Sequence, residues 1–316
     1  MEIYKIKDLY DCGYYVGQEV YDPDNGRVLV SANCKLTNTV LDALGRRGIS
    51  DIIVSKDPVE YGQHQTNIMR TKTMLRKEFN SIAHNLKTNL EISTSMINKV
   101  EQCLSGVIQW ISDNPVGCVC VHNISQNDPY VLRHSVNTCY LSLCLVLSQK
   151  MVKQILRCKE RGIQRFSSYK VDPANLIPLG VAALLMDVGK IHVSNTLGDY
   201  DRLTHDDLRW DLIKKHPVIS HSLLFGHGAD THTLLGVKYH HENMDGSGYP
   251  FGISGYKIHP YSRIIRIVES FDAALSVRPW ADVKNPEDVY KEMNGLAGKH
   301  YDPDLLNCFL AMCLSS

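Results

Sequence analysis

The spacing of apolar and polar positions changes along this chain, and the changes divide it. Through residue 60 the apolar runs are short and β-rich: Arg27-Val-Leu-Val30 follows a turn cluster, Asp22-Pro-Asp-Asn-Gly26, and Ile52-Ile-Val54 forms a second run. Between them Leu36, Val40, Leu41 and Leu44 recur at three-to-four spacing, which predicts a short helix over 37–48 that Gly48 can terminate. From 65 to 112 the period is helical, with Met69, Met74, Leu75, Phe79, Ile82, Leu86 and Leu90 on one stripe. That stripe has two readings, packing against its own domain or pairing with a second copy of the chain. Beyond 114 a long apolar helix opens at Asp128-Pro-Tyr and runs through Leu147, and another apolar segment spans 179–186. A further helix begins at Leu203-Thr-His-Asp, with Thr204 as its N-cap. Alternating strand patterns are nearly absent after residue 65. The pattern predicts a mainly α protein in three parts: a small α/β module at 1–60, a helical linker at 61–113 and a helical domain at 114–316.

Composition narrows the function classes. Lys plus Arg and Asp plus Glu are both 34, a formal net charge of zero, so no global field favours polymeric nucleic acid or a membrane surface. The longest apolar stretch, Cys139–Leu147, is interrupted by Ser142 and is too short to span a bilayer. The first residues lack the apolar core of a signal peptide, and the expected location is the cytoplasm. Ten cysteines include no Cys-x-x-Cys pair, which argues against a thiolate zinc site and for small buried hydrophobes in a reducing compartment. The charge run over 150–170 reads as a solvated face or loop.

Chemistry concentrates in His240-His-Glu-Asn-Met-Asp-Gly-Ser-Gly-Tyr-Pro250. Adjacent imidazoles offer borderline nitrogen donors of the kind that Fe, Mn, Zn or Ni accept. After them Gly246 and Gly248 permit a loop with positive φ, Pro250 stiffens its exit, and Tyr249 places a phenol in it. Four further segments carry candidate donors in order: His134-Ser at the start of the 130s helix, Leu184-Leu-Met186-Asp187-Val-Gly-Lys190, Lys214-Lys-His216-Pro, and Arg263-Ile-Ile-Arg-Ile-Val-Glu269-Ser-Phe-Asp272-Ala. Val277-Arg278-Pro-Trp and Gly298-Lys-His-Tyr-Asp-Pro303 follow. His205, His221, His227 and His232 belong to none of these segments.

Taken together, from about Asn114 to the C-terminus, these segments resemble the HD-GYP family of metal-dependent cyclic dinucleotide phosphodiesterases. The resemblance implies an all-α HD-type bundle preceded by a small α/β module. It implies that His134, Asp187, His216, His240, His241 and Glu269 are metal ligands, with Asp187 bridging two ions. Lys190 would meet phosphate oxygens and act with Asp187 in catalysis, and Tyr249 and Arg278 would contact the nucleotide. Two positions depart from the family pattern. Met186 stands where the His of the His-Asp pair belongs, and Glu269 where the pattern has Asp. Tyr130 stands where some members carry a Glu for a third metal, so a trinuclear centre is not expected. The implied cofactor is a divalent transition metal, Fe or Mn, as a mono- or dinuclear centre, and the implied partner is cyclic di-GMP or a related dinucleotide. Two functions follow: a hydrolase with a depleted site, or a module that has lost turnover and serves in dinucleotide or protein binding. A homodimer through 65–112 is the expected assembly.

Overall fold

The computed structural model describes residues 2–17, 20–21, 28–30, 34–55, 58–113, 129–148, 175–197, 207–276 and 284–314. They form two compact units, Met1–Arg70 and Thr71–Ser315.

In the first unit, β1 (Glu2–Lys5) runs antiparallel to β5 (Asp51–Ser55), with Glu2 opposite Val54 and Lys5 opposite Asp51. β2 (Tyr15–Val16) pairs with the other edge of β5, and β3 (Val20–Tyr21) and β4 (Val28–Val30) form a separate antiparallel pair. The predicted helix is α1 (Asn38–Arg46), capped by Thr37, whose hydroxyl accepts the Val40 N–H at 3.3 Å. Its Leu41 and Leu44 enter a core with Leu9, Val16, Ile52 and Val54. The turn cluster at 22–26 lies outside the described residues.

A single helix, α2 (Pro58–Asn89), continues across the division between the units. Leu90 takes a left-handed φ of 59° and ends the helical run, and α3 (Thr94–Asp113) resumes it. The stripe read from the sequence is split. Leu75, Phe79, Ile82 and Leu86 are buried within the chain itself, whereas Met69, Met74 and Leu90 are exposed. On α3, Ile97, Val100, Leu104, Val107 and Ile111 form a continuous buried row facing α4 (Tyr130–Leu147) and α5 (Ile177–Leu185). At about 1.5–3 kcal/mol per buried aliphatic side chain, that row contributes on the order of 10 kcal/mol before ordering costs.

α4 is buried nearly all round, as a central helix must be, with α3, α5, α10 (Pro260–Leu275) and α12 (Pro303–Leu314) against it. The remaining helices are α6 (Val188–Leu197), α7 (Asp207–Ile213), α8 (His216–Leu224), α9 (Thr231–Lys238) and α11 (Pro286–Gly295). α8 packs on α6 and α9, and α9 on α5 and α10. The molecule is mainly helical with a small α/β unit at its start, as the pattern predicts. The charge run at 150–170 and the cap at Thr204 lie outside the described residues. Cys139, Cys144 and Cys308 are buried as expected; Cys12 and Cys34 are exposed. Among the described residues no helix is long and apolar enough to cross a membrane.

Candidate metal centre

Helix ends and first turns deliver the donors. Asp187 occupies the joint between α5 and α6, His216 opens α8, and His240 and His241 follow the C-cap of α9. Gly189 makes the approach between α6 and α8 feasible. A Cβ there would lie 2.5 Å from the His216 carbonyl oxygen and 2.8 Å from Ser220 Oγ, which instead accepts the Gly189 N–H at 2.8 Å. The Gly of Asp-Val-Gly-Lys thus seats His216 beside Asp187.

The imidazole tautomers decide what this cluster can bind. His216 Nδ1 lies 2.7 Å from the Ile213 carbonyl oxygen and His240 Nδ1 2.6 Å from that of Val237. A carbonyl only accepts, so both Nδ1 atoms carry protons and the neutral rings turn lone pairs on Nε2 inward. His216 Nε2 is 3.1 Å from His240 Nε2 and 3.1 Å from Asp187 Oδ1, and His240 Nε2 is 3.7 Å from that same oxygen. Asp187 Oδ1 and His241 Nε2 are buried without a hydrogen-bond partner among the described residues. Converging lone pairs repel unless positive charge sits among them. A tetrahedral ion about 2.1 Å from each donor would set its ligands about 3.4 Å apart, close to the three separations observed. One donor atom each from Asp187, His216, His240 and His241 lie within 4.8 Å of one another. The donor set therefore fits a divalent transition metal.

A looser half faces the other Asp187 oxygen. His134, one turn into α4, places Nε2 4.0 Å from Asp187 Oδ2 and 3.8 Å from Glu269 Oε2. Its Nδ1 is hydrogen bonded to Asp272 Oδ2 at 2.7 Å, the carboxylate–imidazole pairing that orients metal-binding histidines. Glu269 Oε1 meets His241 Nδ1 at 3.2 Å and the Arg266 guanidinium at 2.8 Å. Lys190 donates to Asp187 Oδ2 at 2.7 Å. The structure thus brings together His134, Asp187, Lys190, His216, His240, His241 and Glu269.

Electrostatics separate the two halves. Burial and the nearby Lys190 ammonium push His216 down to about 4, which keeps its lone pair available. His241 is driven well below the usual histidine range, by burial first, although Glu269 opposes this. Burial also lowers His134, but its hydrogen bond to Asp272 and the facing Glu269 and Asp187 outweigh it and carry the ring up to about 9. Burial would raise Asp187, yet the Lys190 ammonium beside it holds it well below the usual carboxylate range. Glu269 is likewise lowered against its burial, by His241, His134 and Arg266.

The loop after His241 is built around the ligands. Tyr249 stacks on His241, with centroids 4.6 Å apart and an interplanar angle of 23°. Gly246 has φ +85°, as anticipated. Gly248 is needed for a different reason. A Cβ there would lie 2.4 Å from the Asn243 nitrogen and 2.5 Å from the His241 oxygen, because the loop folds back onto His-His-Glu-Asn. Glu242, whose role the sequence left unassigned, is buried and its Oε1 accepts the Phe251 N–H at 2.8 Å. Arg278 lies outside the described residues. Met186 is fully buried at the C-cap of α5.

Sequence reasoning gave no role to Asn137, Arg266 or Asp272. All three were detectable by helical period: Asn137 is one turn beyond His134, and Arg266 and Asp272 lie one turn before and one turn beyond Glu269.

The described helices form a bundle whose ends converge on an imidazole–carboxylate cluster, and the comparisons give that arrangement a class. The HD domain family model matches residues 151–305. A cyclic di-GMP phosphodiesterase of Thermotoga maritima is 33% identical over 135 residues, 42% of this chain and 36% of that protein. A 3'3'-cGAMP-specific phosphodiesterase of Vibrio cholerae is 30% identical over 142 residues, 45% of this chain and 30% of that protein. The chain thus matches about a third of the length of these relatives. Bd1817, a solved "HDG'Y'P" protein from Bdellovibrio bacteriovorus, aligns over 100% of this chain and 99% of its own, with a TM-score of 0.56 and 18% identity, a likeness of fold. The matched segment is an HD domain, and these comparisons support the HD-GYP resemblance carried by the motifs.

Proposed function

We propose that the protein hydrolyses cyclic dinucleotides, with cyclic di-GMP or 3'3'-cGAMP as substrate, at a centre holding Fe or Mn. The observation that supports this reading is the convergence of inward-facing donor atoms from Asp187, His216, His240 and His241, a set suited to a cation. These four would hold one ion, and His134, Glu269 and the second Asp187 oxygen would hold another. Such ions lower the pKa of water and neutralise charge on phosphoryl oxygens.

The chain's own residues supply the rest. Lys190, buried against Asp187, brings an ammonium to the place where phosphate charge would develop. Tyr249 packs the His241 ring and presents its phenol beside it. Arg278 would grip a phosphate or a guanine edge through two parallel hydrogen bonds. The test is hydrolysis of cyclic di-GMP and of 3'3'-cGAMP by protein loaded anaerobically with Fe(II) or Mn(II), read as linear product by chromatography. Product that disappears with His216→Ala supports the proposal; neither product nor bound metal overturns it.

Met186 favours a second reading. A buried thioether beside Asp187 is a soft neutral donor, poorly suited to a hard oxygen-rich ion and well suited to filling a hydrophobic gap. A protein that binds cyclic dinucleotide without turning it over would satisfy this arrangement. Micromolar binding with no product would select it.

A further inference from the structure

We infer that Lys72, on α2, is a positioning residue for the metal centre, acting through Asn137 and Asp272 on His134; the inference rests on the metal-centre reading above. Lys72 is only 3% exposed. Burying an ammonium costs several kcal/mol, so its surroundings must return favourable interactions. Its Nζ donates to Asn137 Oδ1 at 3.2 Å and lies 5.2 Å from the centroid of the Tyr140 ring.

The hydrogen-bond chain has one consistent direction. An ionised carboxylate only accepts, so the Asn137 amide turns its Nδ2 to Asp272 Oδ1, at 2.7 Å. Its Oδ1 is thereby left for a donor, and an ammonium is a donor only. Asp272 then uses its second oxygen for His134 Nδ1 at 2.7 Å, with Ser276 Oγ at 3.3 Å. The ring is thus fixed with Nε2 toward Asp187 and Glu269. Each member is buried, and each bond constrains the next. Without the ammonium, Asn137 Oδ1 is a buried acceptor left unmet, and the amide gains a reason to rotate away from Asp272. His134 would then lose the partner that orients it. Lys72 belongs to the helix that leads out of the first unit, so the relay ties the orientation of a ligand to the seating of α2.

A buried lysine that only anchored α2 would behave differently, and Leu75→Ala provides that control. Leu75 is fully buried less than one turn further along α2, so its truncation loosens packing without touching the relay. The experiment titrates Mn(II) alone into metal-free full-length protein at fixed pH by calorimetry, with the melting temperature measured alongside. Removing a direct partner of a ligand typically costs 10–100-fold in metal affinity, so Lys72→Met, two bonds further out, is expected to weaken binding by about three- to tenfold. Lys72→Arg should recover most of the loss. Leu75→Ala should lower the melting temperature and leave affinity unchanged. The double variant Lys72→Met/Asn137→Leu removes both partners and keeps the test open if Lys72→Met alone does not fold; its affinity should fall at least as far as that expected for Lys72→Met. Mn(II) affinity at the wild-type level in Lys72→Met, or in the double variant, overturns the inference while leaving the metal centre standing. A wild-type protein that takes up no Mn(II) overturns the metal reading, and this inference with it.

Discussion

Beside the carboxylate that both halves of the centre share, position 186 offers a thioether where an imidazole would give a nitrogen donor. A neutral sulfur does not compensate for a missing nitrogen at a site of carboxylate oxygens and imidazoles. Met186→His is therefore expected to raise metal stoichiometry and phosphodiesterase activity together, the latter by about tenfold or more, which is about 1.4 kcal/mol of barrier. Dinucleotide affinity should change little. Wild-type turnover already on the order of one per second or faster would show that Met186 is harmless. Gly248 makes a second residue-scale claim. Its Cβ position collides with backbone rather than with a side chain that could swing aside. Gly248→Ala should cost about 1–3 kcal/mol, as overpacking does, and should displace Tyr249 from His241. An unchanged melting temperature and unchanged metal affinity would refute this. The donors themselves were legible in the sequence because each sits in a short motif of unusual composition. Lys72 was not, because its partner Asn137 is 65 positions away and nothing local marks it.

Among the elements, α10 carries the clearest dependence on pH. Its N-cap, His259, accepts the Tyr261 N–H on Nδ1 at 3.2 Å, so its proton resides on Nε2 and points to His232 Nδ1 at 3.0 Å. Burial, then the nearby His232 and Arg263, push His259 down to about 4. The unfolded chain binds this proton near pH 6.5, whereas the folded chain resists it until about 4. Unfolding therefore takes up a proton within that window, and stability falls as pH falls through it. The contribution is complete above about pH 6.5 and amounts to roughly 3 kcal/mol. Asn also caps helices, so His259→Asn should flatten the stability-against-pH curve between pH 6.5 and 4 by up to one proton. An unaltered slope in chemical denaturation would contradict it. Helix positions were readable from the three-to-four period, as α1 and α2 demonstrate, and α4 from its long apolar run. Partners were less readable. The 65–112 stripe gave no indication that Leu75, Phe79, Ile82 and Leu86 would be buried within the chain while Met69 and Met74 stayed exposed. Periodicity reports that a face is apolar, not what covers it. Dimerisation through the exposed remainder is a separate expectation. Sedimentation at high concentration would show a dimer that Met69→Glu/Met74→Glu disrupts, and a wild-type monomer would dismiss it.

For the whole molecule, the centre joins segments that are far apart in sequence, since α4, the α5–α6 joint, α8, the loop after α9 and α10 all contribute donors. An ion bound there would tie those segments together and stabilise the fold by mass action, by about 2.7 kcal/mol at a hundred times the dissociation constant. Melting temperature should therefore rise with added Mn(II) and return with chelator. Sequence alone yielded the family resemblance and the order of the ligands. It did not yield the charge pattern of the centre, in which Lys190 and Arg266 pair with two of three buried carboxylates and His134 is hydrogen bonded to the third. The account stands on the cation proposed for Asp187, His216, His240 and His241. The most direct measurement is the elemental metal content of protein purified anaerobically with Fe and Mn supplied, compared with His216→Ala and His240→Ala prepared identically. The account predicts at least one Fe or Mn per wild-type chain and a marked loss in both variants; wild-type protein free of metal, or variants that retain it in full, would contradict it.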